Sequence, residues 1–204
     1  MLPHVDYVAT LGVMMLHSLP NAFTYRTARE RGLSERRLRE LVADRVVDRL
    51  GHGVYRKVDS PPTDLDRVEL ALRAPDATLC LISALSHHDL IDTIPGVIDV
   101  ALPRHQRPPN VSAPVRWHRF DAFTFHLGRQ NMPVDDGIEL GVYSAERCIV
   151  DIFRLRHQEG EDLAIQALKR WLKRPGVAPA DLLSMARHFP KGEPSLLNAL
   201  RILT

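Results

Sequence analysis

The chain reads as an α+β protein, and three observations predict that class. Leu38, Leu41 and Val42 recur at helical spacing directly after Ser34, a residue type that caps helices. Two short alternating stretches, Val46 to Leu50 and Val54 to Lys57, flank Gly51-His52-Gly53 and read as a hairpin. Beyond Ser60-Pro61-Pro62 come four strand-like segments, and then a run of helical patterns that continues to the C-terminus.

Taken in order, His4 to Leu19 is expected to be a helix, with Val5, Val8, Ala9, Leu11, Met15 and Leu16 on a broad apolar face that Pro20-Asn21 ends. Phe23 to Arg31 reads as a second, short helix closed by Gly32, and Ser34 starts a third that runs to about Asp44. The hairpin follows. Ser60-Pro61-Pro62 is the best linker, so the predicted domains are residues 1–60 and 63–204.

In the second domain, Leu65 to Arg73 and Ser83 to Leu90 look helical. Val97 to Leu102, Val115 to Phe120, Phe123 to Leu127 and Ile138 to Tyr143 look like strands. Ala145 to Arg156, Glu161 to Lys173, Pro179 to Phe189 and Pro194 to Leu203 then form a helical tail. The reading is a mixed α+β domain with a helical C-terminal tail.

Composition narrows the class. With 45% hydrophobic and 25% charged residues, 204 residues can bury an ordinary core. Val8 to Leu19 is too short to cross a bilayer and lacks the basic leader and small-residue cleavage site of a signal peptide. A cytoplasmic protein is expected. Cys80 and Cys148 stand alone in apolar surroundings, as buried free thiols do, and no disulfide framework is expected. Charge is unevenly spread. Residues 21–57 hold ten basic and five acidic residues, whereas the rest of the chain holds 17 basic and 20 acidic ones. A basic segment on a slightly acidic body is the electrostatic footprint of a nucleic-acid module.

Three helices and a glycine-tipped hairpin within about sixty residues follow the winged helix-turn-helix order, in which the third helix enters the major groove. Stepping around that helix from Leu38, residues Arg36, Arg39, Glu40 and Ala43 point away from the core, with Arg37 on one flank. Arginine pairs with guanine or clamps a phosphate, glutamate accepts from cytosine N4, and a small alanine permits close approach. The hairpin adds Arg49, His52, Arg56 and Lys57 as phosphate contacts. With Ser34 at the helix start, these residues make up the expected DNA-binding set.

The segment from Ala22 to Asp59 resembles the N-terminal domain of the AbiEi family, the antitoxins of type IV abortive-infection toxin–antitoxin pairs. The matching features are Gly32-Leu33-Ser34, Leu41-Val42, and Arg49 leading to Gly53, Tyr55 and Arg56. The family usually has a glycine near the start of the wing, where this chain has Arg45-Val46. Ser83-Ala84-Leu85, and Glu146-Arg147 followed by Val150-Asp151, extend the resemblance over nearly the whole chain. It implies an autoregulating transcriptional repressor that binds operator DNA upstream of its own operon. It also implies an AbiEii-like nucleotidyltransferase toxin, counteracted directly or indirectly. Glu146, Arg147 and Asp151 are then a candidate functional surface of the second domain, although Arg147 and Asp151 are also spaced to pair across one helical turn.

No enzyme, cofactor or metal is expected. Adjacent His87 and His88 point about 100° apart on a helix and do not share an ion easily. Ser83 and Ser86 lack a Gly-x-Ser-x-Gly elbow, and Asp99 is followed by no acid-x-Lys partner for a nuclease site. The alternative is a winged-helix transcription factor with an effector- or protein-binding C-terminal domain. A nuclease ranks last.

Overall fold

The computed structural model describes residues 15–203. The helix expected over His4 to Leu19 lies mostly outside the described residues; residues 15–17 are helical. Among the described residues the fold is mixed α+β, with a three-stranded and a five-stranded sheet. No helix among the described residues is long and apolar enough to cross a membrane.

The chain packs as two units. Among the described residues, the first comprises those through Pro75 together with Pro109–Ala113 and Pro133–Leu140. Its core is Leu16, Leu19, Phe23, Ala28, Leu33, Leu38, Leu41 and Val47. β1 (Ala22–Thr24) pairs antiparallel with β3 (Val54–Lys57), which pairs antiparallel with β2 (Val47–Gly51). Phe23, expected to open a helix, instead sits in β1 opposite Tyr55 with the two rings stacked at 6.0 Å. The helix begins only at Tyr25, because the Thr24 hydroxyl accepts from Thr27 N and caps it there.

The helix Leu65–Arg73 contacts all three strands of this sheet and buries Val68, Glu69, Leu70 and Ala71. The Ser60-Pro61-Pro62 linker therefore lies inside the first unit, and a segment ending at Ser60 would lack the layer that covers the sheet. Glu69 explains a glycine. Its Oε2 accepts from Ser112 N and Ala113 N at 2.9 and 3.1 Å. A Cβ on Gly51 would sit 1.9 Å from its Oε1.

In the five-stranded sheet β5 (Ile98–Pro103) runs parallel to β6 (Val115–Phe120) and antiparallel to β4 (Thr78–Leu79). β4 in turn runs parallel to β8 (Ile138–Tyr143). β7 (Arg129–Asp135) completes the sheet, and neither β4 nor β7 is legible as a strand in the sequence. The expected strand Phe123 to Leu127 is a series of turns instead. Its backbone is diverted: Leu127 N donates to Thr124 O, and the Tyr143 hydroxyl donates to Phe125 O. The tail forms helices Ala145–Arg154, Arg156–Glu159, Glu161–Leu172, Pro179–Ala186 and Glu193–Leu203. Cys80 and Cys148 are free and buried, and burial pushes both thiols well above their ordinary range.

Two helices of the first unit end in the same way. After Tyr25–Glu30, Gly32 adopts φ +87° while Gly32 N and Leu33 N donate back to Arg29 O and Ala28 O. After Glu35–Ala43, Arg45 adopts φ +56° while Arg45 N and Val46 N donate to Val42 O and Leu41 O. Both are Schellman closures, which favour glycine at the left-handed position. Holding an L-residue there costs about 1–2 kcal/mol, offset partly by the greater chain entropy that glycine loses on folding. Arg45→Gly is therefore expected to raise the unfolding free energy by about 0.5–1 kcal/mol. Urea titration should show a higher midpoint at unchanged slope. An equal or lower midpoint would mean that the Arg45 side chain stabilises the fold by more than its backbone strain costs.

Candidate nucleic-acid interface

Ser34 is the N-cap of Glu35–Ala43, its Oγ accepting from Arg37 N at 3.1 Å. Leu38 and Leu41 anchor the helix to the core, which leaves the opposite face to solvent. Arg36 and Arg39 side chains are 88% and 75% exposed, and Ala43 is exposed beside them. Arg37 is half-buried on the flank.

The guanidinium groups on this face are tethered to carboxylates of the same helix. Arg36 Nε donates to Glu40 Oε1 at 3.0 Å, and Arg37 Nη1 to Glu40 Oε2 at 3.1 Å. Arg39 lies 3.5 Å from Glu35. The bonds from Arg37 and Arg36 hold the Glu40 carboxyl below the usual carboxylate range. Exposed pairs contribute little in water, so the exposed Arg36 and Arg39 can be drawn off by a phosphate or a base edge.

The hairpin is positioned beside the helix by β1–β3 pairing and by Tyr25 N, which donates to Gly53 O at 2.8 Å. Gly53 takes φ +72° at the tip. Arg49 and His52 are exposed, with Arg49 Nε donating to Gly51 O. Between helix and hairpin runs an open groove of about 490 Å³. Leu38, Val42 and Tyr55 line it along with Tyr25, Glu35, Arg39, Arg49 and His52.

Two wing residues of the expected set depart from it. Arg56 is buried, its Nε donating to Asp135 Oδ2 at 3.0 Å and its Nη2 to Pro61 O. Burial would raise the Asp135 carboxyl, but Asn21 Nδ2, Asp136 N and Arg56 outweigh it and hold it low. Lys57 Nζ donates to Leu19 O at 2.6 Å. The alternation of β3 puts Arg56 on the same face as buried Val54, the face turned from solvent. Among residues 21–57, the exposed cations that sequence reasoning left out of the set are Arg26 and Arg29 on the helix Tyr25–Glu30, Arg31 just after it, and Arg45. Their signal was the basic count of residues 21–57, which the motif reading assigned only to the helix face and wing.

The candidate surface of Glu146, Arg147 and Asp151 is not a surface. Arg147 and Asp151 are buried and paired Nε to Oδ2 at 2.8 Å, the helical-turn pairing that their spacing allows. Arg154 bonds the other Asp151 oxygen at 2.9 Å. Arg147 Nη1 donates to Thr124 O and Leu127 O, both at 2.7 Å. Its guanidinium lies 4.3 and 4.2 Å from the Tyr143 and Phe189 ring centroids. Glu146 is half-buried and accepts from Trp171 Nε1 at 3.1 Å.

Asp99, Ser83 and His88 also have partners. Asp99 Oδ1 accepts from Arg116 Nε at 2.6 Å and from His118 Nε2 at 2.8 Å. Burial would raise this carboxyl, but the two bonds outweigh it and keep it low. The Ser83 hydroxyl accepts from Asp99 N, and His88 Nε2 donates to Tyr143 O at 2.7 Å.

The fold is similar to the crystal structure of the Rv2827c protein from Mycobacterium tuberculosis, with a TM-score of 0.52 and 19% sequence identity. The match covers 96% of this chain and 80% of that one. No protein-family model and no curated protein matches the sequence.

Proposed function

We propose that the first unit is a winged helix-turn-helix and that the chain is a DNA-binding antitoxin. On this reading it represses its own operon and counteracts an AbiEii-like nucleotidyltransferase toxin encoded beside it. The observation that carries DNA binding is the groove between Glu35–Ala43 and the β2–β3 hairpin, with exposed Arg39, Arg49 and His52 along it and Arg36 on the same helix. The helix would enter the major groove, and the hairpin would follow the backbone. Arg26, Arg29, Arg45 and Arg49 would neutralise phosphates.

The test is a titration of the full chain with duplex DNA from upstream of its own gene. If those four arginines each neutralise one phosphate, log K should fall against log salt with a slope of about −4. Arg36→Ala and Arg39→Ala should each cost about 1–3 kcal/mol on that duplex and much less on a scrambled one. Arg49→Ala should weaken both duplexes alike. Absence of binding at low salt removes the reading. The antitoxin half is tested separately: expressing the neighbouring nucleotidyltransferase gene should arrest growth, and co-expressing this chain should restore it.

A further inference from the structure

Glu40 is placed against the rules that stabilise a helix. Arg36 and Arg37 occupy the first turn of Glu35–Ala43, at the positive end of the helix dipole, and Glu40 lies in its C-terminal half. The Arg36–Glu40 pair runs cation first, the weaker order at i,i+4 spacing. Glu40 nevertheless serves as counter-ion to both arginines at 3.0 and 3.1 Å. A local rule broken on an exposed face points to what that face meets.

We propose that Glu40 is a specificity-determining residue, one that admits this helix only to duplexes presenting an exocyclic amino group, foremost cytosine N4, opposite its carboxylate. The inference rests on the DNA-binding reading above. In water the two ion pairs contribute little, so Glu40 is not a latch that shuts the helix off. The cost arises in the interface. As Arg36 and Arg37 move to phosphates or guanine edges, their carboxylate is left desolvated among phosphates. A buried charge without a partner is costly, and a like charge beside it adds to that cost. Among major-groove edges only the amino groups of cytosine and adenine donate hydrogen bonds, and Glu pairs with cytosine N4. Every other base at that position meets an unpaired carboxylate. Discrimination then comes from repulsion of wrong sequences as much as from attraction to the right one.

The experiment selects duplexes from a random pool with the full chain and with Glu40→Gln and Glu40→Ala, then measures affinities for the selected and scrambled duplexes. The wild-type selection should converge on a cytosine, or an adenine, at one position. Glu40→Ala should lose the preference there, with discrimination at that base pair falling about tenfold and binding to scrambled duplex tightening by a similar factor. Glu40→Gln, nearly isosteric, should shift the preference toward adenine, whose N6 and N7 an amide reads together. If all three proteins select the same sequence and the variants tighten every duplex equally, Glu40 is a general negative charge and the proposal is overturned. If the wild-type chain binds duplex but enriches no sequence, the proposal is overturned while DNA binding stands; if it binds no duplex even at low salt, the DNA-binding reading falls and this proposal with it.

Discussion

Arg147→Ala is expected to lower the unfolding free energy of the full chain by about 3–5 kcal/mol, the cost of breaking a buried ion pair by removing one partner. The size follows from what is left behind. Asp151 keeps only Arg154, and the carbonyls of Thr124 and Leu127 lose the donor that both share. Thr124 O keeps the bond from Leu127 N, whereas half-buried Leu127 O loses its donor, and an acceptor left unmade costs up to about 1–3 kcal/mol. Neither of those carbonyls belongs to a sheet ladder, because residues 124–127 are turns. Arg147→Lys should rescue little. An ammonium cannot span Asp151 and two carbonyls in one plane, nor stack flat between Tyr143 and Phe189. Denaturant titration decides the matter, and a loss below about 1 kcal/mol would show that the cage closes without its cation. Gly128 belongs to the same cage: at φ +69° it lets its backbone pass where a Cβ would stand 2.8 Å from Arg147 Cβ.

Arg56→Ala should cost about 3 kcal/mol of stability, at the lower end of the range for a broken buried pair because Asn21 and Asp136 N still serve Asp135. Asp135→Ala should cost a similar amount while leaving the cation. The double variant should then fall well short of the sum of the two, as it does for residues in direct contact. Had Arg56 been a phosphate contact, the opposite pattern would appear: Arg56→Ala would leave stability intact and weaken DNA binding, and Asp135→Ala would change neither. The two outcomes are separated by one set of urea titrations and one set of DNA titrations. For the same reason Lys57, committed to Leu19 O, should not contribute to the salt slope.

Where the determinants are local, the sequence was enough. Ser34 capping Glu35–Ala43, the Leu38 and Leu41 core face, and the hairpin around His52-Gly53 each depend on side chains a few residues apart. Intrinsic turn, cap and amphipathic preferences act over that range, so they can be read from spacing alone. The outward placement of Arg36, Arg39 and Glu40 follows from the same periodicity, and so does the Arg147–Asp151 pairing across one helical turn. Tertiary structure alone decided which face of each alternating or periodic element would be covered. In β3 the period-two pattern puts Val54 and Arg56 on one side and Tyr55 and Lys57 on the other, and neither side is marked as inner. The helix Leu65–Arg73 and the segment carrying Asp135 made it the Arg56 side, from positions that local spacing cannot reach. Arg147 was decided in the same way, by Tyr143, Phe189 and two turn carbonyls about twenty residues upstream. A charged side chain reads as surface by default, because burying a charge is costly unless partners are present. Those partners come together only once the chain has folded.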